Sequence, residues 1–180
     1  MGVSNFNEFQ ISRLLKNSSH KPLVNQIESN PYNHNQQLID HCKGLGVEIM
    51  AYSPLGNPAA PPTRKWEEDT VPLIQGKIQG QVQECKINKV SLDPVVGSIG
   101  ESYGKTSAQV LIRYAIERGL IVIPKSVTKS RLAANADVFD FKLSENDLAQ
   151  LKELERGFRV VELAANQDHK YYPFRDNYSE

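Results

Sequence analysis

Strand and helix alternate along this chain, and each strand-like run closes on polar residues. Met1 to Phe6 reads as the last part of a strand, Pro22 to Glu28 as a second, Val47 to Tyr52 as a third and Leu120 to Ile123 as a fourth. Between them apolar residues recur at helical spacing: Phe9, Ile11, Leu14 and Leu15 in the first segment, then Leu38, Ile39, Cys42 and Leu45, with Gly46 as the stop. The clearest helix runs from Thr106 to Gly119, with hydroxyl residues at its start and glycine at its end. Parallel strands need crossover connections, usually helices, so this order predicts a parallel sheet. Such sheets gather ligand-facing residues at their carboxyl ends, and here those ends carry Gln26, Tyr52 with Ser53, and Lys125 with Ser126.

The stretch Leu120 to Asn135 is the most suggestive of these ends. A β-branched run stops at Pro124, Lys125 follows, and the hydroxyl-rich turn Ser126 to Ser130 feeds a helix that carries Arg131 and extends to about Asp137. Two cations, several hydroxyl donors and the unpaired N–H groups of a new helix make an anion site, for which phosphate is the natural guest. The same residues also suit an ordinary solvated corner between strand and helix, and local sequence does not separate the two.

Composition limits the alternatives. Lys+Arg and Asp+Glu both number 21, so no global field steers the chain toward nucleic acid or an anionic membrane, and any anion site must be local. The two cysteines, Cys42 and Cys85, are far apart and lack CxxC partners, which gives neither a zinc site nor a disulfide framework and suits reduced thiols in the cytoplasm. No apolar run reaches membrane-spanning length, and the start lacks a signal-peptide pattern. His20, His34, His41 and His169 are scattered over expected loops and polar helix faces, so no catalytic role is assigned to them.

Ser144 to Asp147 forms a capping-box pattern ahead of Leu148, Leu151 and Leu154, with Gly157 expected to end that helix. The aromatic tail around Tyr171 to Arg175 is expected to lie on the body of the protein. A proline-rich surface excursion covers residues 58–62, and residues 73–92, interrupted by Gly76 and Gly80, give no clear element. A doubly wound sheet and a barrel both fit the alternation, but the GxGxxG turn of dinucleotide-binding doubly wound folds is absent, which favours the barrel. A barrel of this type has eight strand–helix units in about 250 residues. This chain offers three full strands and the end of a fourth.

Four ordered blocks resemble the C-terminal half of an aldo-keto reductase: Gly2-Val3-Ser4-Asn5-Phe6, Val24-Asn25-Gln26-Ile27-Glu28, Ala51-Tyr52-Ser53-Pro54-Leu55-Gly56, and Ile123-Pro124-Lys125-Ser126 with Arg131 and Asn135. The resemblance implies an α/β fold, the C-terminal part of an incomplete (β/α)8 TIM barrel, with NADP(H) at its carboxyl end and reduction of aldehydes or ketones as the family reaction. Ser4, Asn5 and Gln26 would then bond the nicotinamide carboxamide, and Tyr52 would stack on the nicotinamide ring. Ser53, Leu55 and Asn57 would line the pyrophosphate. Lys125, Ser126, Val127, Thr128 and Arg131 would hold the adenosine 2′-phosphate, with Asn135 reaching the adenine. A doubly charged phosphate uses a lysine and an arginine that a bare ribose hydroxyl does not, so the resemblance implies NADP rather than NAD.

The departures also carry expectations. The family's Asp, Tyr, Lys and His tetrad comes from the first half of the barrel and has no counterpart here, and no motif places a lysine and an aspartate around Tyr52, Tyr103 or Tyr114. The chain is therefore expected to be one partial oxidoreductase domain over 1–180, inactive alone, with an insertion at 74–92 and a tail at 157–180. Asn30 stands where many members have His, and the tail with Tyr172-Pro173-Phe174 resembles the aldehyde reductase branch. The expected partner is a small-molecule carbonyl substrate in the full-length family, with no nucleic acid and no membrane. Two other readings follow from the same residues: a non-enzymatic nucleotide-binding or interaction half-barrel that self-associates through exposed edges, and a truncated gene product.

Overall fold

The computed structural model describes residues 1–56 and 90–174. Among these residues four strands form one parallel sheet in sequence order: β1 (Gly2–Ser4), β2 (Val24–Glu28), β3 (Glu48–Tyr52) and β4 (Ile121–Val122). Gly2 lies opposite Val24, Val24 opposite Glu48, and Met50 opposite Ile121, so all four strands point the same way and their carboxyl ends share one rim. The helices are α1 (Glu8–Asn17), α2 (Gln36–Gly44), α3 (Pro94–Tyr103), α4 (Ser107–Glu117), α5 (Lys129–Ala136) and α6 (Glu145–Lys152).

Local sequence explains where these helices begin. The Asn7 side chain accepts from the Gln10 N–H at 2.9 Å while the Gln10 side chain accepts from the Asn7 N–H at 3.1 Å, a reciprocal cap on α1. Thr106 with Gln109 and Ser144 with Asp147 repeat the device on α4 and α6. The sequence reading did not assign α3, although Asp93 caps Val95 N–H at 2.9 Å, Pro94 holds the first turn and Gly104 ends the helix at φ 61°. α6 stops at Lys152 rather than running on to Gly157, which adopts a left-handed φ of 62° further along the chain.

The sheet is two-faced in the way strand periodicity requires. Asn25, Ile27, Ile49 and Ala51 point to the helices, and Ile11, Ile39, Cys42, Val47, Ala115 and Leu120 pack on them as one cluster. A second cluster joins α3, α4 and α6 through Val96, Ile99, Val110, Leu111 and Leu151, with Tyr32 and Val90. The opposite face carries Gly2, Ser4, Val24, Gln26 and Met50, which line an open hollow of about 500 Å³. Helices on one face and a concave, partly polar face on the other make a barrel segment rather than a doubly wound sheet.

Of the expected insertion, residues 74–89 lie outside the described residues. Val90–Leu92 form a 3-10 turn, with Val90 in the core. The expected excursion at 58–62 is also outside them. The tail does lie on the body: Gln10 Nε2 donates to the Tyr171 carbonyl at 2.9 Å and Asn7 Nδ2 to the Pro173 carbonyl at 3.2 Å.

Candidate functional site

The rim at the carboxyl ends of the strands brings Ser4, Asn5, Gln26 and Tyr52 into one hydrogen-bonded group. Ser4 Oγ donates to the Gln26 carbonyl at 3.1 Å, and the Asn5 N–H donates to the same carbonyl at 2.9 Å. Tyr52 Oη donates to Asn5 Oδ1 at 3.0 Å, so β1 and β3 are tied together across β2. The Gln26 side-chain amide points its Nε2 at Met50 Sδ, 3.2 Å away, which leaves Oε1 for another partner. Burial, with Glu28 adding to it, raises the Tyr52 phenol above its ordinary value, so Tyr52 stays a neutral donor.

The chain turns at this rim in a conformation few L-residues adopt. Asn5 follows β1 at φ 56° and Ser53 follows β3 at φ 47°. Asparagine tolerates the left-handed region better than most residues, whereas serine there is strained. Two such turns, at the ends of the strands that flank β2, are the kind of local cost that persists where surrounding structure fixes it. Asn30 Nδ2 supports the second turn, lying 3.4 Å from the Ser53 carbonyl.

The turn that carries Lys125 leaves the sheet after β4. Ile123 N–H still bonds to the Ala51 carbonyl at 3.2 Å, and Lys125 follows two residues later, exposed. Ser126 Oγ accepts from the Thr128 N–H at 3.2 Å, shaping the turn into α5. Thr128 caps α5 in position only, since its side chain makes no cap hydrogen bond, and Arg131 stands exposed in the first turn. Neither Lys125 nor Arg131 has an ion-pair partner among the described residues. Val127 is 82% exposed, and Asn135 is half-buried near the helix end.

Two expected pyrophosphate residues are placed less simply. Leu55 packs against the second core cluster beside Val90, so contact with a ligand would fall to its backbone. Asn57 lies outside the described residues.

Several residues that sequence reasoning passed over organise this edge. Asn25, wholly buried, donates from Nδ2 to the Phe6 carbonyl at 2.8 Å and accepts from Phe6 N–H at 3.3 Å, fixing the turn that presents Asn5. Glu28, also wholly buried, accepts from the main-chain N–H groups of Val160 and Val161 in the tail. The alternation of Val24, Gln26 and Glu28 on one strand face was the available signal. His34 is not on a solvated loop: it is buried, with Tyr114 Oη 3.1 Å from Nε2 and Glu155 3.2 Å from Nδ1. Burial and the Arg118 charge lower its pKa, opposed by Glu155.

Tyr52 on this rim has its phenol raised, and other described tyrosines bond away from it. Tyr32 bonds to Asp93 at 2.7 Å and Tyr103 to Asp147 at 2.6 Å, and both phenols are pushed up. Tyr171 is lowered, chiefly by a hydrogen bond from Arg13, but it lies on the exposed tail against α1. No group of three or more His, Cys, Asp or Glu suited to a metal occurs among the described residues, and none of their helices is long and apolar enough to cross a membrane.

The Aldo/keto reductase family model matches residues 1–156. The chain is 38% identical over 179 residues to the aldo-keto reductase AKR2E4 of Bombyx mori, covering 96% of this chain and 50% of that protein. Its crystal structure in complex with NADP aligns with a TM-score of 0.74. Human aldo-keto reductase family 1 member A1 is 35% identical, with 99% of this chain and 51% of that protein covered. The aldose reductase structure from Schistosoma japonicum aligns with a TM-score of 0.78 at 33% identity, over 98% of this chain and 48% of that one. The chain thus spans about half the length of the curated relatives it matches.

Proposed function

Because the chain belongs to the aldo/keto reductase family, we propose that it is an NADP(H)-binding portion of such an enzyme, whose family reaction reduces aldehydes or ketones to alcohols. The observation that carries this reading is the convergence of Ser4, Asn5, Gln26 and Tyr52 on one hydrogen-bonded rim, with the cationic turn of Lys125 to Arg131 leaving the adjacent strand. The donors suit the cofactor. Ser4, Asn5 and Gln26 supply carboxamide partners, and the half-buried Tyr52 supplies a flat surface for the nicotinamide. Ser53, the Leu55 backbone and Asn57 are assigned to the pyrophosphate. Lys125, Ser126, Val127, Thr128 and Arg131 are assigned to the 2′-phosphate, and Asn135 to the adenine.

The bound cofactor would supply hydride to a carbonyl carbon. The chain's own residues would orient it, holding the carboxamide and stacking one ring face so that the other is presented. The reaction also needs a proton donor, and the phenol of Tyr52 on the rim is raised by burial and Glu28 rather than lowered as a proton donor's would be. We therefore propose that these 180 residues alone do not turn over aldehydes. Turnover of a reactive aromatic aldehyde with NADPH at ordinary enzymatic rates would refute that. The buried thiol of Cys42, bonded by Asn25 at 3.8 Å, accords with the cytoplasmic reading.

The cofactor assignment is tested by NADPH fluorescence titration of the wild type, Lys125→Ala and Arg131→Ala. Equal binding by all three removes the phosphate assignment. A second reading, a half-barrel that dimerises or pairs with another chain, is favoured by outer edges of β1 and β4 that carry no further strand among the described residues and by exposed Met1, Leu23 and Ile121. Sedimentation velocity tests it: a monomer that binds no hydrophobic dye counts against it.

A further inference from the structure

Glu28 has no lysine or arginine in ion-pair contact among the described residues, yet it is 0% exposed. Main-chain donors from the far end of the chain hold it, with the Arg159 charge near enough to act on it. Val160 N–H lies 2.9 Å from Oε1 and 3.0 Å from Oε2, Val161 N–H lies 2.9 Å from Oε2, and Asn30 Nδ2 is 3.4 Å from Oε1. A buried carboxylate is costly unless its oxygens are bonded, so these donors fix where residues 160–161 sit.

The neighbouring contacts make a strap of the C-terminal segment. Arg159 Nη2 donates to Asn35 Oδ1 at 3.3 Å, and Asn35 Nδ2 donates to the Glu28 carbonyl at 2.7 Å. The Arg159 guanidinium stacks 3.8 Å from the Phe174 ring centroid, Phe174 meets Tyr172 edge-on at 5.4 Å, and Tyr172 Oη donates to the Glu162 carbonyl. The far end is tied to Asn7 and Gln10. Both attachments adjoin the rim. Glu28 lies directly opposite Tyr52 in the strand register, two residues beyond Gln26 on the same face, and Asn7 lies two residues after Asn5.

We propose that Glu28 is a positioning residue that couples the C-terminal strap to the cofactor rim, so that a ring bound against Tyr52 and a seated strap stabilise each other. The ligand half of this proposal rests on the NADP(H) reading above, whereas the strap half stands on the Glu28 contacts alone. If the cofactor tightens the strap, then by reciprocity the strap must tighten the cofactor.

Amide hydrogen exchange at Val160 and Val161, measured on the full chain with and without NADPH, tests both halves. The variants are Glu28→Ala and Glu28→Gln, the latter keeping one acceptor oxygen. Without NADPH, exchange at the two amides is expected to rise about tenfold in Glu28→Ala and less in Glu28→Gln. NADPH is expected to slow exchange there in the wild type but not in Glu28→Ala, and NADPH affinity is expected to fall in the order wild type, Gln, Ala. Unchanged exchange in both folded variants would overturn the strap. NADPH binding to the wild type that leaves Val160 and Val161 unaffected would overturn the coupling, as would a lowered thermal midpoint in Glu28→Gln with the NADPH effect on exchange intact. Absence of any NADPH binding by the wild type would refute the cofactor reading and the coupling, while the strap is still judged by exchange in the unliganded proteins. Should Glu28→Ala fail to fold, Glu28→Gln and the wild-type comparison decide.

Discussion

Tyr52 Oη donates to Asn5 Oδ1 at 3.0 Å, joining the ends of two strands that do not touch as neighbours in the sheet. The bond orients the tyrosine ring and steadies an asparagine at φ 56°. Tyr52→Phe removes only the donor and is expected to lower stability by about 1 kcal/mol while leaving NADPH affinity within about threefold. Tyr52→Ala removes the stacking surface as well and is expected to weaken NADPH about tenfold. Chemical denaturation and fluorescence titration read the two effects separately. Equal affinity in the two variants would remove the stacking role.

Lys125 and Arg131 stand exposed and without ion-pair partners among the described residues, as a site for a mobile dianion requires. Each substitution to alanine is expected to weaken NADPH about tenfold but NADH less than about twofold, because a charge-assisted phosphate contact is absent in the second cofactor. Isothermal titration with both cofactors checks this. Parallel losses for NADPH and NADH would show that the two cations act on something other than the 2′-phosphate.

His34 sets a pH dependence. Burial and the Arg118 charge lower its folded-state pKa below the ordinary 6.5, against Glu155, while Tyr114 bonds the other ring nitrogen. The unfolded chain then binds more protons between the lowered value and 6.5, so this group's contribution is full above 6.5 and is lost as pH falls through that window. Thermal midpoints measured from pH 7.5 downward should therefore decline less steeply in His34→Gln than in the wild type. Two parallel curves would contradict the assignment.

Gly97 and Gly100 lie in the same helix, α3, yet alanine should act oppositely at the two. Among the described residues a Cβ on Gly97 meets nothing within 4 Å, so helix propensity alone predicts a gain of about 0.5–1 kcal/mol. A Cβ on Gly100 would sit 2.6 Å from the Lys105 carbonyl oxygen, at the corner where Lys105 N–H bonds back to Gly100. Gly100→Ala is expected to cost about 1–3 kcal/mol. Urea denaturation of both variants checks the sign, and a stabilised Gly100→Ala would show that the corner yields.

Much of the rim is legible in sequence because its parts are local, namely the strand ends at Gln26 and Tyr52-Ser53 and the hydroxyl-rich turn after Pro124, whereas Ser4 and Asn5 rest on the family resemblance. Caps such as Ser144 with Asp147 are equally local, and Thr106 was recognised for the same reason. α3 is not legible although Asp93-Pro94 and Gly104 bracket it, since it follows a stretch in which glycines blur the periodicity. Strand alternation puts Glu28 on the face of Gln26, but neither its partners nor those of His34 can be read from their neighbours. Their environments are made by Val160, Val161, Tyr114 and Glu155, residues that only tertiary packing brings close.

The Glu28–Val160 contact joins residues 132 positions apart in the chain. During synthesis the carboxylate emerges long before the amides that will bury it, and until they arrive it must remain hydrated. The carboxyl edge of β2 is thus the last part of the sheet free to set, because closing so long a loop precedes any return from its contacts. A nascent chain that has not yet reached Val160 would hold β2 with its Glu28 carboxylate still lacking these two main-chain donors.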